Sequence, residues 1–251
     1  MGVVGRVGAL RGLTVLADDL PAPVGALVEI DGAAMGEVVG FDGGRSVVMT
    51  YGPSDGVRPG QRVILRRARP TASVGDGVLG RVLNGMGEPI DGGGAVRCSG
   101  RAPLSAPPIG AMRRARISEP LLTGVRAIDL MTPLGKGQRM GIFSGPGVGK
   151  STLLGQIARG TSADVSVIAL IGERGREVPE FIHESLGEEG LARSVVIVAT
   201  GDESPLLRLR AARLACATAE HFRDEGRDVL LMMDSVTRFA HAMRQIGLSV
   251  G

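Results

Sequence analysis

The residues with the plainest chemistry are a lysine and a serine that close a glycine-rich run, Ser144-Gly-Pro-Gly-Val-Gly-Lys-Ser151. The apolar stretch Met140–Phe143 before it predicts a strand, and Thr152–Ala158 after it predicts the first turns of a helix. In that setting Gly145, Gly147 and Gly149 let successive backbone N–H groups curl round an anion, and the helix N-terminus adds its partial positive charge. The expected phosphate cradle is Ser144, Gly145, Pro146, Gly147, Val148, Gly149, Lys150, Ser151 and Thr152. Lys150 would reach the β and γ phosphates as a point charge, and the Ser151 hydroxyl would join the shell of a nucleotide-bound Mg²⁺. Ser144 stands where the general pattern GxxxxGK[ST] has its first glycine. An ordinary strand-to-helix turn needs neither the lysine nor the hydroxyl.

Lysine is scarce: of 29 basic residues only Lys136 and Lys150 are lysines. Arginine serves nearly everywhere else, and a compact ammonium suits a phosphate-binding point charge better than a planar fork does.

Two acids follow apolar runs in the same manner. Asp234 comes directly after Leu230-Leu-Met-Met233, where a carboxylate at a strand end can hold a Mg²⁺ shell. Glu173 comes after Ile168-Ala-Leu-Ile-Gly172, where it could orient or deprotonate an attacking water. Each also admits the reading of a solvated acid at a strand end, Glu173 more readily than Asp234. His183, His221 and His241 are isolated on predicted helices and read as surface or packing residues.

These groups need elements to position them. Residues 135–251 alternate strand and helix: a strand over Val165–Ile171, a helix over Glu177–Leu186, and a strand over Ser194–Ala199. Ser204 and Pro205 read as the N-cap and first position of a helix whose apolar face is Leu207, Ala211, Leu214, Ala215, Thr218 and Phe222. A strand over Val229–Met233 and a helix from Ser235 complete the pattern. Such alternation predicts α/β architecture, a parallel sheet covered on both faces with its ligand at the carboxyl ends of the strands. Residues 1–70 differ: the short runs Leu13–Leu16, Val24–Ile30, Glu37–Phe41, Ser46–Thr50 and Gln61–Leu65, separated by Gly/Asp turns, predict a small closed β-barrel. Residues 71–134, rich in Gly and Pro, read as connection and covering structure, within which Gly80–Gly92 looks like a strand end followed by loops.

Composition sets the bounds. The chain has 251 residues, 43% of them hydrophobic, and a net charge of +3, enough for sizeable cores and too mild a charge to imply nucleic acid or a membrane surface. Barrel aromatics are limited to Phe41 and Tyr51, which disfavours base stacking on it. Cys98 and Cys216 lie far apart with no metal-binding spacing, which fits a reduced, cytoplasmic protein. No apolar run reaches the roughly 18 residues of a membrane span.

The loop together with Gly172-Glu-Arg-Gly-Arg-Glu-Val178 and Leu230-Leu-Met-Met-Asp-Ser-Val-Thr-Arg-Phe-Ala240 resembles the rotary-ATPase α/β superfamily, and within it the flagellar and type III secretion export ATPases. The resemblance runs from about Val3 to Gly251. It implies a small N-terminal β-barrel before a RecA-like P-loop domain, ATP and Mg²⁺ as ligands, and a homo-hexameric ring. It makes Glu173 the water-positioning carboxylate, sets Arg174 near the phosphates, and gives Ser151 and Asp234 to the metal. It further implies release of export substrates from chaperones, a stator-like regulator, a membrane export gate, and a cytoplasmic place at the inner face of the membrane. No nucleic-acid partner is expected.

Several readings remain open beside the flagellar one, to which the chain leans: a virulence-type secretion ATPase, the catalytic subunit of an ATP synthase, an RNA-dependent ring translocase, and a non-catalytic assembly subunit. The Gly175-Arg-Glu-Val178 continuation argues against the synthase subunit, and Glu173 against the assembly subunit. Relatives extend past the position of Gly251 with a further strand, an interface arginine, adenine contacts and a helical domain. The expectation is therefore a truncated chain that lacks its sheet centre and turns over negligibly alone. Its front is likewise expected to lack the segment that binds the regulator.

Overall fold

The computed structural model describes residues 2–145 and 147–250; Met1, Gly251 and the cradle residue Pro146 lie outside the described residues. Six strands open the chain: β1 (Val4–Arg11), β2 (Thr14–Asp18), β3 (Leu27–Ile30), β4 (Ala34–Asp42), β5 (Arg45–Thr50) and β6 (Arg62–Arg67). They close an antiparallel barrel in the order β1-β2-β5-β4-β3-β6, filled by Val7, Val15, Val28, Ile30, Val38, Val48 and Val63. Five of the six follow the apolar runs in the sequence. The addition is β1, whose glycines interrupt its apolar pattern for a steric reason. A Cβ at Gly5 would lie 2.5 Å from the Asp18 carbonyl oxygen, and one at Gly8 2.3 Å from the Asp18 carboxylate.

Beyond the barrel, β7 (Thr71–Val74) pairs antiparallel with β9 (Gly100–Pro103), and between them β8 (Arg81–Asn84) departs to a second sheet. A two-residue ladder of β10 (Pro120–Leu121) and β11 (Leu134–Gly135) brackets α1 (Arg126–Met131). There follow α2 (Lys150–Gly160), β12 (Val165–Ile171) and α3 (Glu177–Glu180), which passes through a π-helical segment, Phe181–Leu186, into α4 (Gly187–Ala192). The chain continues with β13 (Ser194–Ala199), α5 (Pro205–Asp224), β14 (Val229–Asp234) and α6 (Val236–Val250). The second sheet is parallel throughout, in the order β14-β12-β13-β8.

Each face of this sheet has its own core. Val165, Val167, Ala169 and Ile171 pack with Ala211, Ala215 and Phe222 of α5. Ile168, Leu170, Val196 and Val198 pack with Leu154 and Ile157 of α2 and with Phe181 and Leu186. β12 and β13 are buried at every position, as a two-sided parallel strand requires. The start of α5 is as read from sequence: Leu207 N–H donates to Ser204 Oγ at 3.1 Å, and Pro205 occupies the first turn.

One sequence expectation is corrected. Met140–Phe143 forms no strand. A strand exists only through a ladder partner, and no strand borders this run among the described residues; Phe143 is 96% exposed. β14 is the edge strand on one side: it pairs only with β12 among the described residues and Leu231 stands exposed, while Val229 and Met233 pack on one core and Leu230 and Met232 on the other.

Barrel and sheet meet where α5 begins. Leu206 and Leu207 pack with Met49 and Tyr51, and Ser204 Oγ donates to the Tyr51 carbonyl at 2.8 Å. Tyr51 Oη donates to Glu37 at 2.7 Å, and Arg213 donates to the other Glu37 oxygen at 3.4 Å. Removing one partner from a buried carboxylate costs about 1–3 kcal/mol, so Tyr51→Phe lowers stability in urea unfolding by that amount while far-UV circular dichroism stays unchanged.

Glycine in a helix interior ordinarily costs up to about 1 kcal/mol against alanine. At Gly155 of α2 the sign reverses, because a Cβ would lie 2.3 Å from the Ser185 carbonyl oxygen. Gly155→Ala destabilises by about 1–3 kcal/mol, whereas Gly247→Ala in α6, where a Cβ meets nothing within 4 Å, is neutral or stabilising. Denaturant titration of both variants measures the contrast; equal signs would refute the packing account.

Candidate functional site

The glycine-rich loop lies at the carboxyl-end side of the parallel sheet, immediately before α2. Gly147 and Gly149 adopt φ of 76° and 91°, values that side chains with a Cβ rarely tolerate. Gly149 is the residue before the first helical position, so the loop turns straight into the N-terminus of α2. Ser144, Gly145, Gly147, Val148, Gly149, Ser151 and Thr152 are exposed, and Lys150 is half-buried. The exposed loop therefore leads into the positive end of a helix, a place that favours an oxyanion.

The acids arrive from the sheet. β12 and β14 are neighbours in parallel register, with Leu170 opposite Asp234, so the chain leaving β12 carries Glu173 next to Asp234. Asp234 is 4% exposed and ion-pairs with Lys150. That contact spans 84 residues of sequence and joins the loop to the strand end. A buried carboxylate requires such a partner.

Glu173 is placed by its surroundings. Gly172, at φ 74°, would put a Cβ 2.8 Å from the Arg238 side chain; its absence lets Arg238 lie across the end of β12. Arg238 donates to the Gly172 carbonyl at 2.6 Å and lies 3.3 Å from the Glu173 carboxylate. Burial first, then the Asp234 carboxylate, push the Glu173 pKa up, opposed by Arg238 and Lys150, and a hydrogen bond to Glu177 raises it further. For Glu177, burial opposes ionisation, but hydrogen bonds from Arg174 and Glu173 outweigh it and hold its pKa below the ordinary value. Arg174 is itself exposed and pairs with Glu177 at 3.0 Å.

Lys150, Asp234 and Glu173 thus converge, with Ser151 on the first turn of α2. Sequence reasoning missed Arg238 and Glu177. Arg238 sits four residues after Asp234 on the next helix, and the pairing of Glu173 with an arginine across a glycine is a signal only once the two strand ends are known to adjoin. His183, His221 and His241 lie on helices, His221 within 3.3 Å of Glu225 on the next turn of α5. Among the described residues no group of three or more His, Cys, Asp or Glu side chains is arranged to hold a metal. A Mg²⁺ that arrives on a nucleotide needs no such cage, since it keeps several waters and takes one or two protein ligands.

Comparison with known proteins bears on the family and the fold. Residues 124–251 match the ATP synthase alpha/beta family, nucleotide-binding domain. The chain is 50% identical over 253 residues to a flagellum-specific ATP synthase of Treponema pallidum, covering 99% of this chain and 57% of that protein. It is 55% identical over 216 residues to a type 3 secretion system ATPase of Xanthomonas euvesicatoria, covering 86% of this chain and 49% of that protein. The assembled ATPase EscN in complex with its central stalk EscO, from the type III secretion system of enteropathogenic E. coli, superimposes with a TM-score of 0.92 at 41% identity. That superposition covers 98% of this chain and 61% of the EscN chain. The chain therefore spans about half to three-fifths of the length of the relatives it matches.

The raised pKa of Glu173 has a sign that can be checked. Its folded value lies above the unfolded one, so its contribution to stability is fully present below the ordinary glutamate value, about 4.3, and is lost as pH rises through the raised value. Glu173→Gln is therefore more stable than the parent chain at pH 8, and the difference shrinks at pH 4. Urea midpoints at the two pH values measure it; a difference independent of pH would show that ionisation of Glu173 is not its cause.

Proposed function

Because the chain belongs to the ATP synthase alpha/beta family through its nucleotide-binding domain, we propose that it is the nucleotide-handling part of an ATPase that energises export of flagellar proteins. The observation that carries the hydrolytic reading is the convergence of Lys150, Asp234 and a carboxyl of raised pKa, Glu173, beside a glycine-rich helix N-terminus. The loop amides and Lys150 hold the ATP phosphates. Ser151 and Asp234 would hold Mg²⁺, which would supply charge neutralisation to the phosphates. In that state Lys150 exchanges its Asp234 partner for phosphate oxygens. Glu173 orients the attacking water and accepts its proton, and Arg238 and Glu177 fix the Glu173 carboxyl. Arg174, exposed and paired with Glu177 at the same strand end, is the guanidinium assigned to charge that develops on the phosphates.

The working unit on this reading is a homo-hexameric ring, supported by likeness to an assembled ATPase with its central stalk. A stator-like or stalk-like regulator, export chaperones and a membrane export gate are its proposed partners. No described helix is long and apolar enough to cross a membrane, and the proposed location is cytoplasmic, peripheral to the membrane. The virulence-type export ATPase is a second reading, favoured by the 55% identity to the Xanthomonas protein; its site chemistry is the same. Deletion of the gene separates the two: loss of motility supports the flagellar system, and loss of effector secretion with motility intact supports the other.

The catalytic assignment is tested in the full-length assembled protein by phosphate release. Lys150→Ala abolishes ATP binding. Glu173→Gln keeps ATP binding and lowers kcat by about 10²- to 10⁴-fold, the span of general base catalysis. Asp234→Asn weakens the dependence on Mg²⁺ concentration. Turnover of Glu173→Gln at the parental rate would refute the role of Glu173.

A further inference from the structure

Away from the glycine-rich loop, a cleft of about 200 Å³ opens between the barrel, the β7–β9 ribbon and α5. Arg67 from β6, Arg101 from β9 and Arg210 from α5 line it, with the Thr71 and Ser73 hydroxyls, and Leu27, Pro70 and Met86 form its apolar wall. No acidic residue lines it among the described residues.

The charge balance behind the cleft is uneven. Glu37 is the buried carboxylate there, and its oxygens are taken by Tyr51 Oη at 2.7 Å and Arg213 at 3.4 Å. Burial first, then Glu37, raise the Tyr51 pKa far above its ordinary value, so the phenol stays neutral. Arg210 is left over. It is 7% exposed, it meets the Tyr51 oxygen only at 3.4 Å, and its guanidinium lies 5.4 Å from the centre of the Tyr51 ring. Its Nε is buried without a hydrogen-bond partner, and no carboxylate pairs with it among the described residues. A guanidinium withdrawn from water without a counter-ion is costly, and the aromatic face offsets this only in part.

We infer that this cleft is a second anion site, separate from the glycine-rich loop, which takes the phosphoryl group of a small phosphate monoester between Arg67, Arg101 and Arg210. Three guanidiniums without an acid call for a dianion rather than a single carboxylate, and planar forks suit phosphoryl oxygens. Arg67 is already held by Thr71 Oγ1 at 3.0 Å, which leaves the Thr71 hydroxyl proton free for the ligand. The apolar wall takes the organic part of the ester. An occupant contacts the barrel, the ribbon and α5 together, so its binding stiffens the junction between the two sheets.

Calorimetry with phenyl phosphate on the 251-residue chain carrying Lys150→Ala tests this with the loop site disabled. The expected result is one binding site, weakened about tenfold or more when Arg101→Ala is added, as for loss of a charged hydrogen bond. Arg210→Gln should abolish binding, but because Arg210 is buried and its loss can unfold the junction, the exposed Arg101 carries the decision. Absence of binding to the Lys150→Ala chain, or binding indifferent to Arg101→Ala, overturns the site. Inorganic phosphate binding as tightly as phenyl phosphate overturns the monoester and leaves a site for free phosphate.

Discussion

Two carboxylates, Glu173 and Asp234, stand at the carboxyl ends of neighbouring parallel strands, and their mutual repulsion is the constraint round which the site is arranged. Parallel pairing of β12 with β14 brings them there, since Leu170 lies opposite Asp234 and Glu173 follows three residues on. Left alone, two adjacent charges of one sign would be untenable in so buried a place. The fold resolves this asymmetrically. Asp234 receives the ammonium of Lys150, while Glu173 is left with a raised pKa, a guanidinium at 3.3 Å and a hydrogen bond to Glu177. On the proposed reading, the first acid holds a cation and the second takes a proton.

Small features of the chain follow from that arrangement. Gly172 lacks a Cβ so that Arg238 can cross the strand end. Gly147 and Gly149 adopt positive φ so that the loop can turn into α2 and deliver Lys150 to Asp234. Gly155 has no room for a methyl group because α2 packs directly on the Ser185 carbonyl. Gly172 and Gly155 relieve close approaches, Gly147 and Gly149 supply positive φ, and none would be chosen for helix or strand propensity.

The barrel is joined to the sheet by polar groups as much as by apolar ones. Leu206 and Leu207 supply the apolar contact, but Glu37, Tyr51 and Arg213 tie β4 and the end of β5 to α5 through buried hydrogen bonds. Directional bonds of this kind set one orientation, which apolar contact alone does not do. The remaining guanidinium, Arg210, borders the cleft between the two parts, so the region that fixes their orientation is also where an anion can act on it.

Much of this was legible in the amino-acid order. The glycine-lysine-serine run, the acids that follow apolar stretches, the cap at Ser204 and five barrel strands are local patterns, and local patterns survive without knowledge of what lies opposite. Other features were not local. β1 was hidden because Gly5 and Gly8 answer to Asp18, a neighbour known only when the barrel closes. β8 was legible only as a strand end within Gly80–Gly92, because its partner β13 is known only from the fold. Met140–Phe143 read as a strand, yet an apolar run without a ladder partner is not one. The sequence by itself determined which groups are candidates for chemistry and which periodicity carries them. Only the tertiary structure decided that Arg238 and Glu177 attend Glu173, that Lys150 meets Asp234 across 84 residues, and that no carboxylate among the described residues pairs with Arg210. Those are through-space relations of charge and shape, which sequence spacing does not encode.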